Sequence, residues 1–91
     1  MYKVIILPLA KEDIKEAAQW YNDKLKGLGK RFIGQVKQRV SSIRSNPFAI
    51  AVRYDDVRTA VLKGFPFMVH YRINDSKKLV IVIAVFHTSR D

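Results

Sequence analysis

The sequence contains no cysteine. This absence excludes disulfide bonds, thiolate nucleophiles and zinc sites with cysteine ligands, and it suits a reducing compartment. Long apolar runs are also missing, because the strand-like runs near the C-terminus fall far below the roughly 20 residues that cross a bilayer. The N-terminal run Val4–Leu9 is too short for the core of a signal peptide. We therefore expect a cytoplasmic protein with no membrane contact.

Acidic residues are scarce as well. Lysine and arginine number 17 against 8 aspartates and glutamates, which gives a net charge of +9. The stretch Lys24–Tyr54 has no acidic residue at all, and its cations are Lys24, Lys26, Lys30, Arg31, Lys37, Arg39, Arg44 and Arg53. A solvated surface normally mixes both signs. The imbalance therefore predicts an anionic partner, such as nucleic acid, an acidic protein segment or a nucleoprotein complex. A lysine-rich helix surface without a partner is the alternative.

The pattern of apolar residues predicts one small domain over residues 1–91, with enough hydrophobic content (48%) for a single core. Tyr2–Leu7 is β-branched and apolar and predicts a strand that Pro8 ends. The period then becomes helical as far as Asn46-Pro47, and Gly27 and Gly29 divide this stretch into two amphipathic helices.

After Pro47 the period becomes two. The pattern predicts strands at Val57–Lys63, Phe67–Ile73 and Leu79–Phe86, with a short candidate strand at Val52–Tyr54. The predicted fold is α+β in the order β-α-α-β-β-β, with an antiparallel-rich sheet and a helical hairpin packed on one face.

The last strand is apolar on both sides, which is typical of a strand buried on both faces. Two helices can cover only one face of a sheet. One of two rows must therefore face away from them: Val80, Val82, Ala84 and Phe86, or Leu79, Ile81, Ile83 and Val85. An uncovered apolar row bordered by Met68, His70 and Arg72 predicts a partner-binding face, unless loops or a second copy of the chain cover it.

Catalytic and metal sites find little support. His87, Ser89 and Asp91 resemble a triad, but same-side residues on a strand lie roughly 6.7 Å apart at each step of two. A relay needs contacts of roughly 2.6–3.2 Å. His70 and His87 are the possible nitrogen ligands, and no carboxylate is placed beside both, so we expect no metal and no cofactor.

A cationic, hydrogen-bonding surface remains, formed by Arg58, Lys63, His70, Arg72, His87 and Arg90 on or beside the C-terminal strands. Arginine binds phosphate or carboxylate in a fork, and histidine transfers protons near neutral pH. Such a set could cut RNA by general acid–base catalysis or simply bind an anionic target. For His70, an ordinary half-buried strand histidine is the alternative, and the closing “HTSRD” is either a functional tip or a solvated chain end.

Four segments resemble the RelE/ParE superfamily of bacterial toxins over essentially the whole chain: “YKVIILPLAKEDI”, “AAQWYNDKLKGLGKRF”, “RTAVLKGFPFMVHYRI” and “VIAVFHTSRD”. The resemblance implies a toxin of a type II toxin–antitoxin module that inhibits growth and acts in plasmid stabilisation. It also implies an acidic antitoxin, encoded beside the toxin, that binds and silences it, with a toxin–antitoxin hetero-oligomer as a possible form. We expect the antitoxin to bind at Met68, Val80, Val82 and Phe86.

The resemblance covers two mechanisms. RelE-like members are similar to ribonucleases that cut messenger RNA on the ribosome, whereas ParE-like members poison DNA gyrase. Here Met68 stands where a RelE-like arginine is expected, and Thr88-Ser89 stands where a basic cluster usually follows the last strand. A thioether cannot stabilise the charge of a phosphoryl transition state. These departures favour the ParE-like branch, which acts by binding rather than as an enzyme.

The residues expected to contact the target are His87, Arg90, Arg58, Lys63 and Arg72. One alternative is a ribosome-dependent endoribonuclease with catalytic residues Lys63, Arg72, His87 and Arg90. A second alternative is a non-toxic member that has kept only antitoxin binding.

Overall fold

The secondary structure follows the periodicity of the sequence closely. A computed structural model describes residues 1–89, so the predictions for Arg90 and Asp91 lie outside the described residues. Its elements are β1 (Lys3–Ile6), α1 (Pro8–Lys24), α2 (Leu28–Ser45), β2 (Val52–Tyr54), β3 (Val57–Val61), β4 (Phe67–Asn74) and β5 (Leu79–His87). Within this part of the chain, neither helix has the combination of length and apolar character needed to cross a membrane.

The five strands form one sheet in the order β1-β5-β4-β3-β2. β1 pairs with β5 in parallel, and the other three pairings are antiparallel. The predicted α+β fold, an antiparallel-rich sheet with a helical hairpin on one face, is confirmed. The short candidate strand Val52–Tyr54 is real and forms the edge of the sheet opposite β1.

The hairpin turn depends on two glycines. Gly27 has φ +90°, a left-handed conformation that favours glycine, and its N–H donates to the Asn22 side chain at 2.8 Å. At Gly29, a Cβ atom would lie 2.4 Å from the carbonyl oxygen of Ala18. The two helices therefore cross so closely that a side chain at Gly29 would push them apart.

An aromatic cluster lies between the hairpin and the sheet. The side chain of Phe32 is completely buried. Its ring centroid lies 5.4 Å from that of Tyr21, 5.2 Å from that of Phe65 and 5.1 Å from that of Phe67. Such ring pairs add specific contacts to the burial of apolar surface. Phe32 thus joins both helices to the start of β4.

A β-bulge in β5 changes which residues face the helices. Tyr71 pairs with Val82 and His70 with Ala84, so Ile83 has no partner on β4. An extra residue in one strand reverses the alternation of side chains beyond it. Before the bulge Val80 and Val82 face the helices, and beyond it Val85 does. The prediction that Val80, Val82, Ala84 and Phe86 form one row is therefore wrong.

Candidate functional site

One end of the sheet brings together two of the predicted target-binding residues. His87 ends β5 and pairs with Phe67, the first residue of β4. On the other side of Phe67, the Leu62 N–H donates to the Phe67 carbonyl at 2.8 Å, and Lys63 follows directly. Lys63 and His87 are both exposed at this sheet end. The prediction that they lie on one surface region is supported by this pairing.

The polar segment after β5 is ordered by its own hydrogen bonds. The Ser89 N–H donates to His87 Nδ1 at 3.1 Å, and the Ser89 hydroxyl lies 2.8 Å from the same nitrogen. The Thr88 N–H donates to the Pro66 carbonyl at 2.8 Å. Because Nδ1 accepts, the proton of the neutral His87 ring sits on Nε2. Thr88 and Ser89 are thus held in a turn against the β3–β4 loop.

His87 also borders a groove of about 550 Å³ between α1 and the sheet. Its ring lies edge-on to Phe67 at 5.3 Å, and Trp20, which is 56% exposed, forms part of the opposite wall. Asp13 and Glu16 contribute carboxylates to this groove. The surroundings of His87 on this side therefore suit an apolar or cationic group rather than an anionic one.

Asp13 has a structural task in the same groove. β1 ends at Ile6, so the backbone of β5 loses its strand partner beyond that point. The Asp13 carboxylate accepts a hydrogen bond from the Val85 N–H at 3.0 Å. It thereby satisfies a partly buried donor that would otherwise lack a partner. Sequence patterns alone gave no sign of this contact, because the two residues are far apart in the chain.

Arg72 lies apart from this sheet end. It is five positions along β4 from Phe67, which corresponds to about 17 Å on an extended strand. Its Nε forms an exposed ion pair with Asp56 at 2.9 Å. Exposed pairs of this kind contribute little to stability. The structure thus does not bring Arg72 together with Lys63 and His87.

Arg58 serves mainly to hold a loop. Its guanidinium donates to the Ile50 carbonyl and lies over the ring of Phe48 at 5.1 Å. Both partners belong to the connection between α2 and β2. Because the guanidinium of Arg58 is already occupied by these two contacts within the domain, we do not propose Arg58 as a target contact. Arg90, the remaining predicted contact, lies outside the described residues.

His70 is more deeply buried than the sequence suggested. It is 4% exposed, its Nδ1 is hydrogen-bonded to the Tyr54 hydroxyl at 3.0 Å, and the Phe86 ring packs edge-on at 5.1 Å. Its Nε2 is buried and has no hydrogen-bond partner. Burial lowers the pKa of His70 below its ordinary value, the charge of Arg53 lowers it further, and Asp13 opposes both. His70 is therefore neutral at physiological pH.

This burial predicts a pH dependence of stability. Because the folded pKa of His70 is lowered, the unfolded chain takes up the proton at higher pH than the folded chain does. The free energy of unfolding should fall as pH drops below about 6.5 and stop falling once the folded pKa is passed. Urea titrations between about pH 7 and pH 5 should show that the free energy of unfolding falls less in His70→Gln than in the wild-type protein. Equal falls in both proteins would contradict this assignment.

The face of the sheet opposite the helices, here called the far face, carries an apolar surface. Met68 pairs with Phe86, and both lie on this side. Val61, beside Met68, is 52% exposed, and Ile5 on β1 is 44% exposed. No helix of the described residues covers them. An apolar surface of this kind is typical of a protein–protein contact.

Two residues of the predicted antitoxin surface lie elsewhere. Val80 is completely buried and Val82 is 1% exposed, both in the core beneath the helices. The bulge at Ile83 is the reason, because it places Val80 and Val82 on the opposite side of the sheet from Phe86. Of the residues predicted to bind the antitoxin, the far face holds Met68 and Phe86.

Comparisons with known proteins agree with this architecture. The profile of a family described as “ParE toxin of type II toxin-antitoxin system, parDE” matches residues 4–91. No curated protein sequence matches the chain significantly. A solved structure titled “Chromosomal ParDE TA system from P. aeruginosa” superposes with a TM-score of 0.81 at 16% identity, covering 96% of both chains.

Two structures from E. coli are also similar. A chain of the intact RelBE toxin–antitoxin complex gives a TM-score of 0.75 at 20% identity, covering 99% of this chain and 100% of that chain. The isolated RelE toxin gives 0.73 at 20% identity, covering 100% and 88%. At such identities the superpositions show a shared fold.

Proposed function

This chain belongs to the ParE family of toxins from type II toxin–antitoxin systems, and from that premise we propose that it stops bacterial growth by binding DNA gyrase. We propose further that a cognate antitoxin neutralises it. The family match over residues 4–91 is the observation that carries the proposal. The sequence-based resemblance to the RelE/ParE superfamily is confirmed by the same match.

The arrangement of the cations supports binding over RNA cleavage. General acid–base cleavage needs its acid and base within hydrogen-bond reach of one phosphate. Lys63 and His87 share a sheet end, but Arg72 lies about 17 Å along β4 from it and is paired with Asp56. Met68, on the far face of β4, is 6% exposed and offers no charge. This dispersal favours the gyrase-binding branch over the ribosome-dependent endoribonuclease.

The proposed antitoxin surface is the far face around Met68, Phe86 and Val61. Val61 and Phe86 offer apolar contact beside the buried Met68, while the net charge of +9 favours an acidic partner. An acidic, partly apolar antitoxin segment would satisfy both features. The resulting hetero-oligomer would stabilise the toxin, because a ligand selective for the folded state adds stability by mass action.

The proposed target contacts are His87, Arg90 and Lys63. Lys63 and His87 are exposed and lie at the same sheet end. Arg90 is kept from the sequence analysis, since a guanidinium close to His87 in the chain could form a forked contact with an anionic group on the target.

A pair of assays on the purified protein separates the two branches. Gyrase supercoiling should be inhibited at a toxin concentration close to that of the enzyme, while messenger RNA on programmed ribosomes should stay intact. His87→Ala should weaken the inhibition, since it removes a proposed contact at the exposed end of β5, while Lys77→Ala in the β4–β5 turn should not.

The outcomes are distinct. Codon-dependent RNA cleavage at stoichiometric toxin would contradict the gyrase proposal and support the endoribonuclease. No effect of folded protein in either assay would support a non-toxic member that has kept only antitoxin binding.

A further inference from the structure

Two open grooves meet along α2. Their volumes are about 500 Å³ and about 540 Å³. Both grooves have Gln35, Gln38 and Lys63 in their walls. Together they extend along the helix from Arg31 to Ser42, which corresponds to about 16 Å at the rise of an α-helix. We call this surface the α2–β3 channel, and its polar side chains are Arg31, Gln35, Gln38, Arg39, Ser42 and Lys63.

The charges in the α2–β3 channel are all positive. Arg31, Arg39 and Lys63 line it, and Leu28–Ser45 contains no aspartate or glutamate. Across residues 1–89 the ion pairs are Arg72–Asp56 and Lys78–Asp75, both outside this channel. Within residues 1–89 the channel cations therefore have no carboxylate within ion-pair distance, and their potential attracts an anionic partner.

Arg39 lines this channel from α2. Its side chain is half-buried, and its Nε is shielded from solvent without a hydrogen-bond partner. A shielded donor without an acceptor is unfavourable for the free protein. The planar guanidinium of an arginine loses less freedom for each hydrogen bond formed than the ammonium of a lysine does. Among residues 1–89 Arg39 has no ion-pair partner, so its guanidinium can bind an anion of a partner.

The other grooves have a different chemistry. The groove beside His87 contains Asp13 and Glu16. Another, of about 440 Å³, is lined largely by apolar side chains, including Ile14, Ile33 and Val40. The α2–β3 channel instead combines cations with amide and hydroxyl groups. A partly apolar antitoxin segment is matched better by the groove around Ile14, Ile33 and Val40 than by this channel.

We propose that the α2–β3 channel binds the phosphate backbone of a nucleic acid without reading its base sequence. One strand of a duplex carries a phosphate about every 3.4 Å along the axis and winds around it, so a straight channel of about 16 Å can follow only a few successive phosphates. Guanidinium forks bind phosphate oxygens, and amide side chains donate to them. This site goes beyond the proposed toxin action and does not depend on gyrase as the target.

Fluorescence polarisation with a labelled 20-base-pair DNA duplex tests the proposal. In Arg31→Gln/Lys63→Gln both replaced side chains are exposed, so the fold should be unchanged. The dissociation constant should rise at least about tenfold, and the slope of log K against log salt should shrink by about two. Arg39→Gln should weaken binding as well.

The matched control is Lys3→Gln/Lys77→Gln, which removes the same charge from exposed positions outside the channel. Its dissociation constant should change less than about threefold. Equal losses in the two double variants, or no loss in the channel variant, would overturn the proposal. A melting temperature within about 2 °C of wild type confirms that each variant is folded. Channel-dependent binding of polyglutamate without binding of the duplex would assign the channel to an acidic protein segment instead.

Discussion

Replacing Phe32 with alanine is expected to lower the free energy of unfolding by about 3–5 kcal/mol. The ring is completely buried and contacts Tyr21, Phe65 and Phe67. Truncation removes these contacts and leaves a cavity between the hairpin and the sheet, which the crossing helices cannot easily close. A domain of this size has a total stability of about 5–15 kcal/mol, so the variant should be close to unfolding.

Ile33→Ala is the matched control for this change. Ile33 is the next residue of α2 but is 36% exposed, so its truncation should cost only about 1 kcal/mol. Urea denaturation followed by circular dichroism measures both variants under the same conditions. If the two substitutions cost the same, the aromatic cluster around Phe32 is not the centre of the core.

Local patterns in the sequence account for most of the fold. The helical period, the break at Gly27 and the turn residues between strands each depend on neighbours in the chain, and each appears where it was predicted. β2 was also visible as a short candidate, although three residues alone cannot show that they join a sheet. Strand order needed the structure, because β1 pairs with β5 across almost the whole chain.

The bulge at Ile83 was not predictable from the pattern. β5 is apolar at nearly every position, so its sequence does not favour one register over another. Pairing with β4 determines the register, and it places Val82 and Ala84 on opposite faces. Of the residues predicted to bind the antitoxin, Met68 and Phe86 therefore lie on the far face and Val80 and Val82 lie in the core.

The positions of the cationic residues in the sheet were likewise not predictable from the sequence. Lys63 follows β3, Arg72 lies on β4 and His87 ends β5, but the sequence does not reveal at which end of the sheet each one lies. The pairing places Arg72 far along β4 from His87. The burial of His70 beneath Tyr54 was also hidden, because the two residues meet only after β2 joins the edge of the sheet.

Induced expression of this chain alone is expected to stop the growth of a bacterial culture and to reduce colony formation by at least about tenfold. Co-expression of the antitoxin encoded beside it should restore growth. The physical reason is occupancy, because an antitoxin at about one hundred times its dissociation constant leaves only about 1% of the toxin unbound. In this assay Phe32→Ala should be less toxic in proportion to its unfolded fraction, and Lys3→Gln should be as toxic as wild type.

Colony counts after induction, with and without the neighbouring antitoxin, are therefore the most direct measurement of the central claim. The proposed function predicts few colonies with the toxin alone and normal numbers when both proteins are made. Normal colony numbers from cells that contain abundant soluble, folded toxin without the antitoxin would contradict it.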